Sequence, residues 1–249
     1  MKKYIKIILM ILISCAMLYI VGSKVYKIYV SNKYSHEFTI NRNSSYSSSD
    51  KVNYQEINIS SLVEKYNNTD IIGALEIENE NYLTPIVQTK DNNYYLNHLL
   101  DKTKDFMGAP YLDYRLDIDN SKKLLIYAHN STAYATPFRV LMNFYDKDYL
   151  EHHNHIILTT KDKVRIYEVF SVFTETDDFS YYEKIKFNDK TYVEHLNMLK
   201  NKSMYDIDTT LDKDTKILLL QTCSTHPDYI RLKYRYFVVA FKEIAVINK

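Results

Sequence analysis

Three side chains standing at the ends of apolar runs are suited to acyl-transfer chemistry: His129, Cys223 and Arg235. His129 follows Lys123–Ala128 (KLLIYA), Cys223 follows Lys216–Gln221 (KILLLQ) by way of Thr222, and Arg235 heads Arg235–Phe241 (RYFVVAF). A thiol near an imidazole can reach the thiolate form that attacks a carbonyl carbon. The imidazolium can then protonate a leaving amine. A guanidinium keeps its proton at working pH, so it suits a carbonyl oxygen or a developing oxyanion. Arg231 is an alternative to Arg235 downstream of Cys223, and His226 in Ser224-Thr225-His226-Pro227 is a rival base whose place before proline suits a loop. Glu151-His152-His153-Asn154-His155 has metal-binding residue types, but adjacent ligands in a turn rarely converge on one ion, so no metal is expected.

Strands must hold these residues. Ile71–Ile77 and Tyr82–Gln88 read as strands joined by a polar turn, and His155–Thr160 with Val164–Phe173 reads as a hairpin. In the second arm of that hairpin Arg165, Tyr167, Val169, Ser171 and Phe173 share a face. Helices are fewer: one capped by Ser60 or Ser61, short ones over Phe138–Phe144 and Asp146–His152, and a longer one over Lys190–Lys202. The last is capped by Asn188 or Asp189 and carries Val193, Leu196 and Leu199 on one side. Many strands with irregularly placed helices argue for a mainly β, mainly antiparallel barrel or sandwich.

Composition bounds the rest. The 249 residues are 46% hydrophobic and 25% charged, enough to bury a core and too apolar for a disordered tail. With 32 basic and 31 acidic residues there is no field to attract nucleic acid. The uncharged run Ile7–Ser23 spans about 25 Å as a helix, and lysines at both ends can snorkel to close the gap to a bilayer core. More lysines precede the run than follow it, favouring a cytoplasmic N-terminus and an exported C-terminal part. The expected organisation is a stub and anchor over 1–30, a polar linker over 31–58 that includes the Ser-rich Asn41–Asp50, and an extracellular domain over 59–249. Cys15 then lies in the membrane, and Cys223 as the lone exported thiol has no internal disulfide partner.

The sequence resembles the sortases, and within them class B. Leu219-Leu220-Gln221-Thr222-Cys223 looks like the family's TLxTC strand, and Tyr127-Ala128-His129-Asn130 is similar to its YGHN segment. Pro85–Gln88 with Asp91–Leu96 resembles the class B P-V-V-Q…D-N-x-x-Y-L signature, and Tyr111–Arg115 the F-M-D-[FY]-R segment. The helix before the Cys strand stands where class B members carry an extra one. The resemblance implies an eight-stranded β-barrel and a membrane-anchored cysteine transpeptidase without metal or organic cofactor. It implies cleavage of a C-terminal sorting signal after Thr, through a thioacyl intermediate, and transfer to an amine of peptidoglycan or its lipid-linked precursor. An Asn- or Ser-Pro-x-Thr signal is favoured over a Leu-Pro one. Carried over, Cys223 is nucleophile, His129 general acid and then base, and Arg235 the oxyanion or signal-positioning residue; Asn92, Leu96, Tyr181 and Thr222 line the peptide groove. Ala128 stands where the family has Gly, which would matter if that position needs positive φ. A pilin-polymerising sortase is disfavoured because no second apolar segment follows the last strand. An inert membrane-tethered binding module, with a buried and unreactive Cys223, is the reading from a different class.

Overall fold

The leucine- and isoleucine-rich runs become strands covered on both faces, the setting that β-branched and aliphatic residues favour. The computed structural model describes residues 2–38, 46–49, 52–176, 184–225 and 235–249. In chain order they form α1 (Lys2–Phe38), β1 (Tyr46–Ser49), β2 (Val52–Gln55), α2 (Ile59–Tyr66), β3 (Ile71–Ile77), β4 (Leu83–Val87), β5 (Tyr111–Leu112), β6 (Lys123–Tyr127), α3 (Lys147–His152), β7 (His155–Thr160), β8 (Lys163–Glu175), α4 (Asp189–Asn201), β9 (Ile217–Cys223) and β10 (Tyr236–Asn248). Short 3-10 helices cover Tyr94–Leu96 and Pro137–Tyr145. β3 to β10 close into the expected eight-stranded barrel, in the order β3-β4-β5-β6-β9-β10-β8-β7. Neighbours are antiparallel except β4–β5 and β6–β9, which run parallel.

The parallel pair β6–β9 is the spine of the barrel. Its register runs from Lys123↔Ile217 to Tyr127↔Gln221. Leu124, Leu125, Ile126 and Ile217 to Leu220 are all buried, each contributing about 1.5–3 kcal/mol. α4 secures the starting end of the pair. The hydroxyl of Tyr192 lies 3.0 Å from Lys122 O and 2.8 Å from Thr215 O, just before the two strands. That contact turns the helix relative to the sequence expectation. Tyr192 and His195 join Leu196 and Leu199 in the core, whereas Val193 is only partly covered. Burial, aided by the nearby charges of Lys123 and Lys184, pushes the His195 imidazole down to about 3, so it is neutral in the fold.

Two further details differ from the sequence reading. Asn58 caps α2 in place of Ser60 or Ser61, its side chain accepting from Ser61 N at 3.3 Å. A cap needs extended backbone, which Asn58 has (φ −90°, ψ 105°), while Ser60 and Ser61 already lie within the helix. Within the expected linker, β1 and β2 pair as a hairpin, and Val52 and Tyr54 bury against Ile157, Val164 and Ile166 of the barrel. At the N-terminus, Tyr4–Asn32 is long and apolar enough to cross a membrane. The far end of α1 meets the barrel, where Val30 and Ser31 are buried and Ser31 Oγ accepts from Ala135 N at 2.6 Å.

Gly108 holds the 97–109 loop against the Tyr94–Leu96 turn. Its φ is +61°, and a Cβ there would meet Tyr95 O at 2.5 Å and Leu96 O at 2.9 Å. Both neighbours are backbone and neither can rotate away. Gly108→Ala is therefore expected to destabilise the fold by at least about 1–3 kcal/mol, read as a lower urea midpoint with an unchanged m-value.

Candidate active site

β6 and β9 start together and keep register to the end of β6, and β9 runs on two residues to Cys223. Beyond their last pair, Tyr127↔Gln221, Ala128 N donates to Gln221 O at 3.3 Å. His129 and Cys223 each stand two residues past that pair, on neighbouring strand ends whose spacing in a sheet is about 4.8 Å. Two side chains clamp the ends together. Thr222 Oγ1 donates to Ala128 O at 2.7 Å, and Asn130 Nδ2 donates to Cys223 O at 2.8 Å. Ala128 is not among the described residues with positive φ, which are Asn67, Asn79, Lys102 and Gly108, so alanine carries no left-handed strain at this turn.

His129 and Cys223 open onto one cleft of about 510 Å³. Asn92, Leu96 and Thr222 line it too, so five of the residues proposed from the sequence come together. His129 is half-buried, and its Nε2 lies 2.8 Å from Leu96 O. A carbonyl only accepts, so Nε2 carries the proton and Nδ1 is the acceptor in the neutral ring. Cys223 reaches solvent at the cleft surface, yet the protein packed around its thiol pushes the pKa above the ordinary 9.0 by desolvation. The resting thiol is accordingly neutral near pH 7.

Arg235 stands one residue outside this lining. It is exposed, its N donates to Glu175 O at 2.8 Å, and its carbonyl accepts from Ser224 N at 2.9 Å. The residue directly opposite Cys223 across β9–β10 is Tyr236, which lines the cleft. Directly opposed residues share a sheet face, so Tyr236 rather than Arg235 sits on the face of the thiol. Tyr181, His226 and Arg231 lie outside the described residues. The histidines of the 151–155 segment turn to separate partners: His152 to Asp148 O, His153 to Tyr149 O and His155 to Glu78 Oε2.

Sequence reasoning missed the polar hub of the wall. Asp113 is fully buried and accepts from Arg115 Nε at 2.9 Å, Arg115 NH2 at 2.8 Å, Tyr127 Oη at 3.0 Å and Asn92 Nδ2 at 3.2 Å. Asn92 in turn accepts from Tyr114 N at 3.0 Å, so its amide is committed to the wall at both ends. Burial alone would raise the Asp113 pKa, but the hydrogen bonds and charge of Arg115, with the Tyr127 hydroxyl, outweigh it and hold the carboxyl below its ordinary 3.8. The signal was present in Tyr111–Arg115, where an acid and a base two residues apart on one strand exit can share a face.

Comparisons with known proteins follow the same line. A family model described as "Sortase domain" matches residues 75–243. Sortase B of Listeria monocytogenes is 32% identical over 164 residues, covering 65% of this chain and 66% of that protein. With a Sortase B of Staphylococcus aureus matched over 64% of its length, the chain spans just under two thirds of the curated relatives it matches. Among solved structures, Bacillus anthracis sortase B in complex with AAEK1 superposes with a TM-score of 0.70 at 26% identity, covering 88% of this chain and 99% of that one. A Staphylococcus aureus sortase B–substrate complex gives 0.66 at 26% identity, covering 75% and 84%.

The depressed Asp113 pKa sets a direction for pH. Its stabilisation is present above the unfolded value near 3.8 and is lost as pH falls through the lower folded value. Asp113→Asn should cost about 1.5–3 kcal/mol in urea unfolding at pH 7. The gap between variant and wild type should shrink as both are titrated well below pH 3.8.

Proposed function

The chain belongs to the sortase family, and we propose that it is a cysteine transpeptidase that cuts a C-terminal sorting signal after Thr and joins the protein to a peptidoglycan amine. The observation that carries the reading is the parallel register of β6 and β9, which sets His129 and Cys223 two residues past the same pair and on one cleft. His129 Nδ1, the ring nitrogen left as acceptor, takes the thiol proton as Sγ attacks the Thr carbonyl carbon. The imidazolium then protonates the leaving amine, leaving a thioacyl bond on Cys223. An incoming amine attacks that bond with His129 as base, which releases the thiol. Arg235 supplies positive charge to the oxyanion or to the signal backbone from the head of β10.

The groove for the signal comprises Asn92, Leu96 and Thr222 of the cleft wall, together with Tyr181. Because Thr222 and Asn92 are tied to backbone and to Asp113, they act by shaping the wall, while Leu96 offers an exposed apolar surface. Asn- or Ser-Pro-x-Thr signals are the favoured cargo, and the sortase B captured with a substrate supports a peptide in this cleft. α1 is read as a single-pass plasma-membrane anchor with its N-terminus cytoplasmic and the catalytic domain outside.

The test uses the full chain in detergent with a panel of Pro-x-Thr-Gly and Pro-x-Thr-Asn peptides. Cleavage after Thr is expected, and Cys223→Ala and His129→Ala should each lower it by about a thousandfold or more. Loss in Arg235→Ala supports its role, and survival there with loss in Arg231→Ala moves the role to Arg231. No cleavage, with Cys223 also inert to alkylation, would leave the binding-module reading. Alkylation of the native thiol should accelerate with pH and reach half its plateau above pH 9.0, because desolvation raises the thiol pKa.

A further inference from the structure

α1 meets the domain along one stripe. From Tyr4 to Asn32 the described side chains that are not exposed are Ser23, Lys27, Val30 and Ser31, a spacing that places them on a single helix face. Val30 packs in a cluster with Met107 and Ala109, and Lys27 Nζ lies over the ring of Phe106. Phe106 in turn meets Tyr134 edge to face, with ring centroids 5.0 Å apart. Around the rest of these turns Val25, Tyr26, Ile28 and Tyr29 are each more than half exposed. They lie beyond the uncharged run that ends at Ser23, interspersed with Lys24 and Lys27. Tyrosines and lysines mixed in the turn after an apolar run suit a membrane–water interface, where amphipathic side chains sit at headgroup level. Residues 24–29 rise about 8 Å along the helix, close to the depth of one headgroup layer. The part of the domain that rests on Lys27 is then level with that layer.

We propose that the edge of the domain formed by Phe106 and Tyr134 docks into the headgroup layer of an anionic phospholipid membrane; the inference rests on the reading of α1 as an anchor. Both rings are partly exposed, and Thr132, Ala133 and Lys104 beside them in the chain are exposed. The charge is of the right sign. Lys24, Lys27, Lys102 and Lys104 outnumber Asp101 and Asp105. Each of those carboxylates already accepts a backbone N–H of its own loop, from Thr103 at 3.0 Å and Met107 at 2.9 Å. Lys102 pairs with Asp70 at 2.9 Å, which leaves Lys24, Lys27 and Lys104 as the cations placed for lipid phosphates. The docking edge is built from the same two segments as the cleft wall, since the chain runs on from Leu96 to Phe106 and from His129 to Tyr134.

The chain contains no tryptophan, so a single introduced indole reports its own surroundings. Full-length Phe106→Trp, Leu12→Trp and Val246→Trp are each placed in vesicles of phosphatidylcholine and phosphatidylglycerol whose acyl chains are brominated either near the headgroup or near the methyl end. Val246 is exposed at the opposite end of β10 from the residue paired with Cys223 and serves as the reference. Phe106→Trp should be quenched at least about twofold more by the shallow bromines than by the deep ones, and Val246→Trp by neither. Tyr134→Trp, a second probe should the first disturb packing, should repeat the Phe106→Trp result. Adding Lys104→Glu, or leaving out phosphatidylglycerol, should weaken the shallow quenching. Phe106→Trp and Tyr134→Trp quenched no more than Val246→Trp, with Leu12→Trp strongly quenched by the deep bromines, would overturn the docking. Shallow quenching indifferent to both charge changes would overturn the part given to the lysines. Leu12→Trp untouched by either lipid would instead overturn the anchor reading on which the inference rests.

Discussion

Everything at the cleft depends on the parallel pairing of β6 with β9. Residues 123–127 and 217–221 are separated by some ninety positions of chain, yet their register decides that an imidazole and a thiol finish level. A slip of one residue would carry Cys223 to the other sheet face and bury it where Thr222 now lies. Three devices oppose the slip. The leucine and isoleucine side chains of both strands are buried on both faces of the sheet, Tyr192 bridges the two starting points, and Thr222 with Asn130 stitches the two ends. β10 then closes the barrel on the other side of β9 and prevents that strand from splaying.

The cleft wall obeys a second logic, that of a buried charge which must be fully satisfied. Asp113 gathers Arg115, Tyr127 and Asn92, which come from three separate segments, and so converts the exits of β5 and β6 and the turn after β4 into one rigid surface. Gln88 adds to this from the end of β4, donating to the carbonyls of Asp113 and Leu116 at 2.9 and 2.8 Å. The thiol, by contrast, is partly desolvated by the protein packed around it and so left protonated. The cleft is thus polar and fixed along the Asp113 wall, and less hydrated at the thiol.

Much of this was legible in the sequence, and the reasons for the rest are physical. The strand runs at 71–77, 123–127, 155–160 and 217–221 are dense in aliphatic residues and could be read locally, as could the placement of His129 and Cys223 at the ends of two of them. Their parallel register could not, because it is set by closure of the whole barrel rather than by neighbours in the chain. The turn of α4 toward Tyr192 and His195 was hidden for the same reason: the acceptors of the Tyr192 hydroxyl belong to two distant segments. Asn58 outcompeted the serines as a cap by backbone geometry that composition does not display. The position of Arg235 relative to the thiol turns on one residue of β10 register, which a motif match reads past.

The join between α1 and the barrel bears on where the enzyme can work. Ser31 bonds Ala135, and Lys27 sits 4.9 Å from the ring centroid of Phe106, so the helix leads straight into the body of the domain. Further along, Val52 and Tyr54 of β2 lie on β7 and β8. With α1 as anchor, this is a bracket rather than a leash. Under the proposed anchoring, such a bracket would hold the cleft at a constant height above the lipid, and the substrates of the proposed reaction would have to arrive along the bilayer surface, where a search is two-dimensional.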